Sequence, residues 1–256
     1  MTGWDDYRDL ADGQLMRERG LFVAEGRLVV RRVIDEPRYR VHSLLLNDAA
    51  HRDLADALDR LPSGTPVQVA RAEAFRAITG FNFHRGCLAL VHRPPLQPAD
   101  AVVADQSRIV LLDDVTNADN VGGVFRNVAA FGGGAVVLSP RSCDPFYRKA
   151  IRTSMGTVLR VPFARAQNWP STLDYLRQQG FTIAVLTPRE PAETIHIWAA
   201  AARRAKIALV AGSEGDGVSA AVEAAAEVRV RIPIVSGVDS LNVAVAVGVA
   251  LFTLRS

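Results

Sequence analysis

Five short, mainly apolar runs beyond residue 107 constrain the fold of this chain more than any other feature. They lie at 109–112, 135–138, 183–186, 207–211 and 228–232, and segments of helical pattern flank each of them. A strand reads this way when helices cover both faces of its sheet, which is the situation of parallel strands in an α/β domain. Ligand sites in such sheets gather where strands end at their carboxyl side, so the loops after these runs are the places to look for chemistry. An apolar stretch at 241–254 is too short to cross a membrane, and a core helix is the better expectation for it.

Ahead of this part lies a second α/β pattern. A helix is expected over 26–35, a strand over 41–46, an amphipathic helix over 48–61, a strand over 66–70, a helix over 72–79 and a buried strand over 87–91. Pro94, Pro95 and Pro98 mark a semi-rigid connector. The expected organisation is a small domain at 1–95, a linker at 96–106 and a larger domain at 107–256. Asp5, Asp6 and Asp9 do not fit the charged-then-apolar start of a secretory signal. Cys87 and Cys143 form neither a C-x-x-C pair nor part of a His cluster, so neither a disulfide framework nor a metal site is expected. A reduced, cytoplasmic setting follows as an expectation. The formal net charge of +3 permits an anionic partner without demanding one. Almost all the positive charge is arginine, which an Arg-rich codon usage or a phosphate-gripping surface explains equally well.

Three clusters stand at strand ends. The first, D-D-V-T-N-A-D-N-V-G-G-V-F-R-N, follows 109–112. Asn117, Asp119 or Asn120 can cap the helix it opens, Gly122 and Gly123 admit a close neighbour, and Arg126 falls in its first two turns. An ordinary capped helix with a surface arginine explains the same residues. The second cluster, G-S-E-G-D-G from Gly212 to Gly217, has its glycines in the wrong order for a dinucleotide fingerprint. Its Glu214 and Asp216 would repel a pyrophosphate, so a neutral or cationic ligand fits the loop better. The third, I-P-I-V-S-G-V-D-S-L-N-V-A at 232–244, sets Ser240 and Asn242 at the mouth of an apolar helix. There they act as caps or as the polar rim of a pocket for a partly apolar cofactor.

In this order and spacing the clusters resemble the SpoU–TrmH family of RNA 2′-O-methyltransferases, within the SPOUT class. The family's first motif matches Asn120, Gly122 and Arg126. Its glycine-rich loop matches Gly212, Glu214, Gly215 and Gly217, and its third motif matches Ile232, Pro233 and Ile234, then Ser240, Leu241, Asn242 and Val243. The stretch 138–156 also looks like this family, and F-V-A-E-G-R-L-V (22–29) with F-H-R-G-C-L-A (83–89) resembles its ribosomal-protein-like RNA-binding extension. Arg85 stands where the family often has Gln, and Ala244 where Ser is common. The resemblance implies a trefoil-knotted catalytic domain preceded by a small α/β domain, and a homodimer whose active site draws on both subunits. It also implies S-adenosylmethionine as cofactor, held by Gly212, Ser213, Gly217, Ile232, Ile234 and Leu241, and RNA as substrate, ribosomal or transfer.

Methyl transfer to a ribose hydroxyl needs a nucleophile aligned behind the carbon–sulfur bond, and no His–Asp or Lys–Asp pair lies near the motifs to take the proton. The resemblance points to Arg126 as base or, since a guanidinium is normally protonated, as electrostatic positioner. Asn120, Glu214, Ser240 and Asn242 are expected to orient it, the ribose or the cofactor. Arg141, Arg148, Lys149 and Arg152 form a basic run interrupted by Phe146 and Tyr147. With Arg85 they are candidate RNA contacts, phosphate grips beside a stacking aromatic; a solvated helix face is the plain alternative. A catalytically silent RNA-binding module is a rival for the whole chain, which cofactor titration separates. A nucleotide-dependent oxidoreductase is disfavoured by the misordered glycines.

Overall fold

Residues 5–7, 12–71, 75, 86–202 and 205–255 are described by the computed structural model of the chain. The helix expected at 72–79, apart from the buried Phe75, and the candidate Arg85 lie outside the described residues. The chain divides into two compact units, Met1–Pro95 with Phe146–Leu159, and Leu96–Pro145 with Arg160–Ser256.

In the first unit, α1 (Asp12–Arg19), β1 (Leu21–Glu25), α2 (Arg27–Asp35), β2 (Val41–Leu46), α3 (Asp48–Asp53), α4 (Ala55–Leu58), β3 (Val67–Val69) and β4 (Cys87–His92) follow in order. The sheet runs β1-β4-β2-β3, antiparallel except for β2 with β3. The single helix expected at 48–61 is two, α3 and α4. They part at Leu54, whose backbone leaves the helical basin (φ −106°, ψ 4°) while its side chain is buried. Phe146 stacks on Phe22 (4.7 Å between ring centroids), and Tyr39 donates its hydroxyl to the Leu159 carbonyl at 3.1 Å. Those contacts fasten 146–159 into this unit's core.

The second unit holds α5 (Ala99–Val103), β5 (Arg108–Asp113), α6 (Ala118–Phe131), β6 (Ala135–Leu138), β7 (Phe163–Arg165), α8 (Trp169–Gln178), β8 (Phe181–Leu186), β9 (Glu193–Thr194), α9 (Ile195–Ala201), β10 (Lys206–Gly212), α10 (Ala220–Ala225), β11 (Val228–Arg231) and α11 (Val243–Arg255). The remaining helix, α7 (Arg148–Thr153), belongs to the first unit. The seven strands run β7-β6-β5-β10-β8-β11-β9, and each described pairing is parallel. All five apolar runs are strands here. Within the expected semi-rigid linker stands a helix: Val102 and Val103 of α5 are buried in this unit's core, and burial of two valines helps to offset the ordering of one helical turn.

Of the three candidate caps for α6, Asn117 fills the position, its Oδ1 accepting the Asp119 N–H at 2.8 Å. Helix α11 packs on α6 at close range. A Cβ at Gly123 would stand 2.7 Å from the Ala244 Cβ, so only glycine lets the two helices approach this way. The expected core helix at 241–254 is α11, buried on one side only. Val247, Ala250, Leu251 and Leu254 face the core, whereas Val245, Val249 and Phe252 are 51%, 38% and 59% exposed.

Candidate active site

β10 ends at Gly212, and the chain doubles back at once. Ser213 donates its N–H to the Gly217 carbonyl at 2.9 Å, and Gly217 returns a donor to the Ser213 carbonyl at 3.2 Å. The turn needs left-handed backbone at Gly215 (φ 98°) and Gly217 (φ 79°), which glycine adopts without steric cost. A Cβ on Gly212 would lie 2.2 Å from the Gly217 carbonyl oxygen, so a side chain there would force the turn open. Asp113, paired with Gly212 across β5 and β10, accepts the Ser219 N–H on Oδ2 at 2.5 Å. One buried acid thus braces both ends of the loop.

This turn is one wall of a cavity of about 480 Å³. Residues 186–189, at the end of β8, form a second wall, and the segment between β11 and α11 forms the third. Gly212, Ser213, Gly217, Ile232, Ile234, Ser240 and Leu241 all line it, as does Glu214. Its aliphatic walls and backbone amides suit a ligand with a flat apolar part and a few polar groups.

At its edge the three sequence clusters meet in one hydrogen-bonded network. Asn242 donates from Nδ2 to Asn120 Oδ1 (2.8 Å) and to Glu214 Oε1 (3.0 Å). Asn120 donates to the same Glu214 oxygen at 3.0 Å. The other end of Asn242 caps α11, its Oδ1 accepting from the Ala244 and Val245 amides at 3.0 and 3.3 Å. One carboxylate oxygen therefore takes two amide donors, and Asn120, itself buried, has both its amide atoms in use. Such a network fixes side chains that solvent would otherwise leave free to rotate.

Arg126 stands apart. It is exposed on α6 and, among the described residues, has no acid within ion-pair distance. Six residues of helix turn it about 120° away from Asn120, so the two do not converge within the chain.

A model of the SpoU rRNA methylase family matches residues 107–252, the stretch that contains the cavity, the network and Arg126. The chain belongs to that family. An uncharacterized tRNA/rRNA methyltransferase of Mycobacterium bovis is 38% identical over 252 residues, 97% of this chain and 86% of that protein. The 23S rRNA (guanosine(2553)-2′-O)-methyltransferase RlmP of Bacillus subtilis is 27% identical over 256 residues, 98% of this chain and 94% of that one. The AdoMet-bound rRNA methyltransferase of Sinorhizobium meliloti superposes with a TM-score of 0.81 at 24% identity, over 98% of this chain and 93% of that one.

Within this SpoU-family chain the candidate RNA contacts that are described belong to both units. Arg141 lies in the second unit, exposed and ion-paired with Asp114, while Arg148, Lys149 and Arg152 lie in the first. Arg148 approaches Glu25 (3.9 Å), and Lys149 and Arg152 are exposed. Phe146 is unavailable as a stacking platform for RNA because its ring is buried on Phe22 and Tyr39. Pattern reading missed Thr187, Pro188 and Arg189 in the cavity wall. Their place after the apolar run at 183–186 was the available signal. Among the described residues no group of three or more His, Cys, Asp or Glu is placed to hold a metal ion, and no helix is long and apolar enough to cross a membrane.

Proposed function

We propose that this chain transfers a methyl group from S-adenosylmethionine to a ribose 2′-hydroxyl of ribosomal RNA. The observation that carries the reading is the joining of Asn120, Glu214 and Asn242 beside a cavity bounded by Gly212, Ile232 and Leu241. The cavity fits the cofactor by volume, by its apolar walls and by the acids on its lining, which suit a cationic ligand. The bound AdoMet of the Sinorhizobium meliloti protein and the 2′-O specificity in the name of the Bacillus subtilis relative support the same reading.

When bound, S-adenosylmethionine supplies a methyl group already made electrophilic by its sulfonium. The residues of the chain align and exclude. The Gly212–Gly217 turn and the 232–241 segment would hold the adenosine and methionine portions. Asn120 and Asn242 hold the Glu214 carboxylate at the cavity edge, and Ser240 offers a hydroxyl toward the ribose. Arg126 grips the target phosphate and the 2′-oxygen as a positioner. Exposed and charged, it stabilises negative charge on that oxygen while water takes the proton.

The reading includes a homodimer that covers Val245, Val249 and Phe252 of α11, an apolar face beside α6, so that the site draws on both protomers. It includes a trefoil knot in the 107–256 region, RNA capture by the 1–95 region, with Arg141, Arg148, Lys149, Arg152 and Arg85 as phosphate contacts, and action in the cytoplasm.

The test maps 2′-O-methyl positions in total RNA from cells with and without the gene, beside transfer of labelled methyl by the purified chain. Loss of one ribosomal 2′-O-methyl group and its restoration in vitro is the expected result. A lost mark in transfer RNA replaces the substrate, and a chain that binds the cofactor yet methylates no RNA overturns the activity.

A further inference from the structure

Among the described residues that line the cavity, Arg189 is the only cation, and Glu214, Glu223 and Asp239 are the acids. The neighbouring arginines are committed elsewhere. Arg229 holds Glu223 (Nη2 to Oε2 2.5 Å), and Arg231 pairs with Glu190 at 3.0 Å, without the alignment of a hydrogen bond. Arg189 has no acid within ion-pair distance among the described residues and is exposed. Its backbone is held by a local turn, the Arg189 N–H donating to Thr187 Oγ1 at 3.1 Å, and Pro188 stiffens the step between them. A free guanidinium is thus held on a stiffened segment against a cavity whose remaining unneutralised charges are two carboxylates, Glu214 and Asp239.

That charge set mirrors one ligand. S-adenosylmethionine carries two cations, its sulfonium and its α-ammonium, and one anion, its α-carboxylate. We propose that Arg189 binds the α-carboxylate of the cofactor and selects for it, a role resting on the cofactor reading above. A guanidinium suits this work because its planar fork meets both carboxylate oxygens at once. Glu214 and Asp239 on the same lining would repel a ligand anion left without such a partner.

The decisive measurement titrates the full chain by calorimetry with S-adenosylmethionine and with its decarboxylated form, which keeps the sulfonium and the amine. Wild type should bind the decarboxylated form about tenfold more weakly, the worth of one charge-assisted contact. Arg189→Ala should lose about tenfold for the intact cofactor and bind both forms within about twofold of each other, with the unfolding midpoint of the ligand-free chain unchanged. Arg189→Lys should recover part of the preference. An Arg189→Ala chain that still discriminates the two forms as wild type does overturns the assignment while leaving the cofactor reading intact. A wild-type chain that binds neither form removes both.

Discussion

Asn120 and Arg126 sit on one helix, six residues apart, and the chain treats them in opposite ways. Asn120 is buried and hydrogen-bonded through both amide atoms to residues some ninety and more than a hundred and twenty positions away. Arg126 is exposed and unpaired among the described residues. Under the function proposed above, the difference separates the part of the site that is finished in one folded chain from the part that RNA or a second protomer would complete. A network already hydrogen-bonded around a buried Asn120 has met much of its ordering cost before any cofactor arrives. An exposed arginine keeps its rotamers and its hydration until a phosphate or a partner surface fixes it.

On that division the largest effect belongs to Arg126. Arg126→Ala should lower single-turnover methyl transfer by about 10²–10³, the usual loss on removing one transition-state donor, while cofactor affinity measured by calorimetry stays within about twofold. Arg126→Lys should fall between, since a point charge replaces a fork. Equal losses in cofactor affinity and in rate would place Arg126 in the finished half of the site and break the comparison.

The same division governs what pattern reading could see. Glycine at 212, 215 and 217, and asparagine at 117 and 242, are residues whose backbone and capping chemistry is local, and they are recognisable in the sequence alone. The parallel strands were legible because burial on both faces leaves no alternation to misread. By contrast β1, whose five residues are all buried, was not separated from its surroundings, because its identity comes from pairing with β4. The capture of 146–159 by the first unit depends on Phe146 meeting Phe22, a contact across more than a hundred residues with no local signature. Thr187, Pro188 and Arg189 are ordinary loop residues by composition, and only the position of β8 beside β10 and β11 makes them a cavity wall.

Asn242 tests the finished half directly, with a smaller effect read as stability. Asn242→Ala removes the cap of α11 and both donors to Asn120 and Glu214, and should destabilise the chain by about 1–3 kcal/mol in denaturant unfolding. Asn242→Ser keeps a capping oxygen but cannot reach across, so it should recover roughly 1 kcal/mol of that loss while cofactor affinity remains weakened. A serine variant that restores cofactor affinity in full would mean the helix cap, and not the bridge to Glu214, is what the site requires.

The smallest effect lies at the next strand end, where a second network includes an exposed arginine. Asp114 has left-handed backbone (φ 56°), accepts the Ser139 hydroxyl at 2.7 Å and pairs with Arg141. The hydrogen bond from Arg141, helped by that from Ser139 and by the Arg141 charge, holds its carboxyl below the ordinary 3.8, against partial burial. A folded-state pKa lowered in this way contributes stability in full above the unfolded value and loses it as pH falls through the folded one. Because Arg141 is exposed, solvent screens the pair and the contribution at neutral pH should stay under about 1 kcal/mol. Asp114→Asn isolates the charge, since Asn tolerates the left-handed backbone as well as Asp. Unfolding free energies of the two chains should differ slightly at pH 7 and converge as the pH drops below 3.8 toward the folded-state value. A gap that persists in acid would show that hydrogen-bond geometry alone holds this loop, and Arg141 would then be as free for RNA as Arg126.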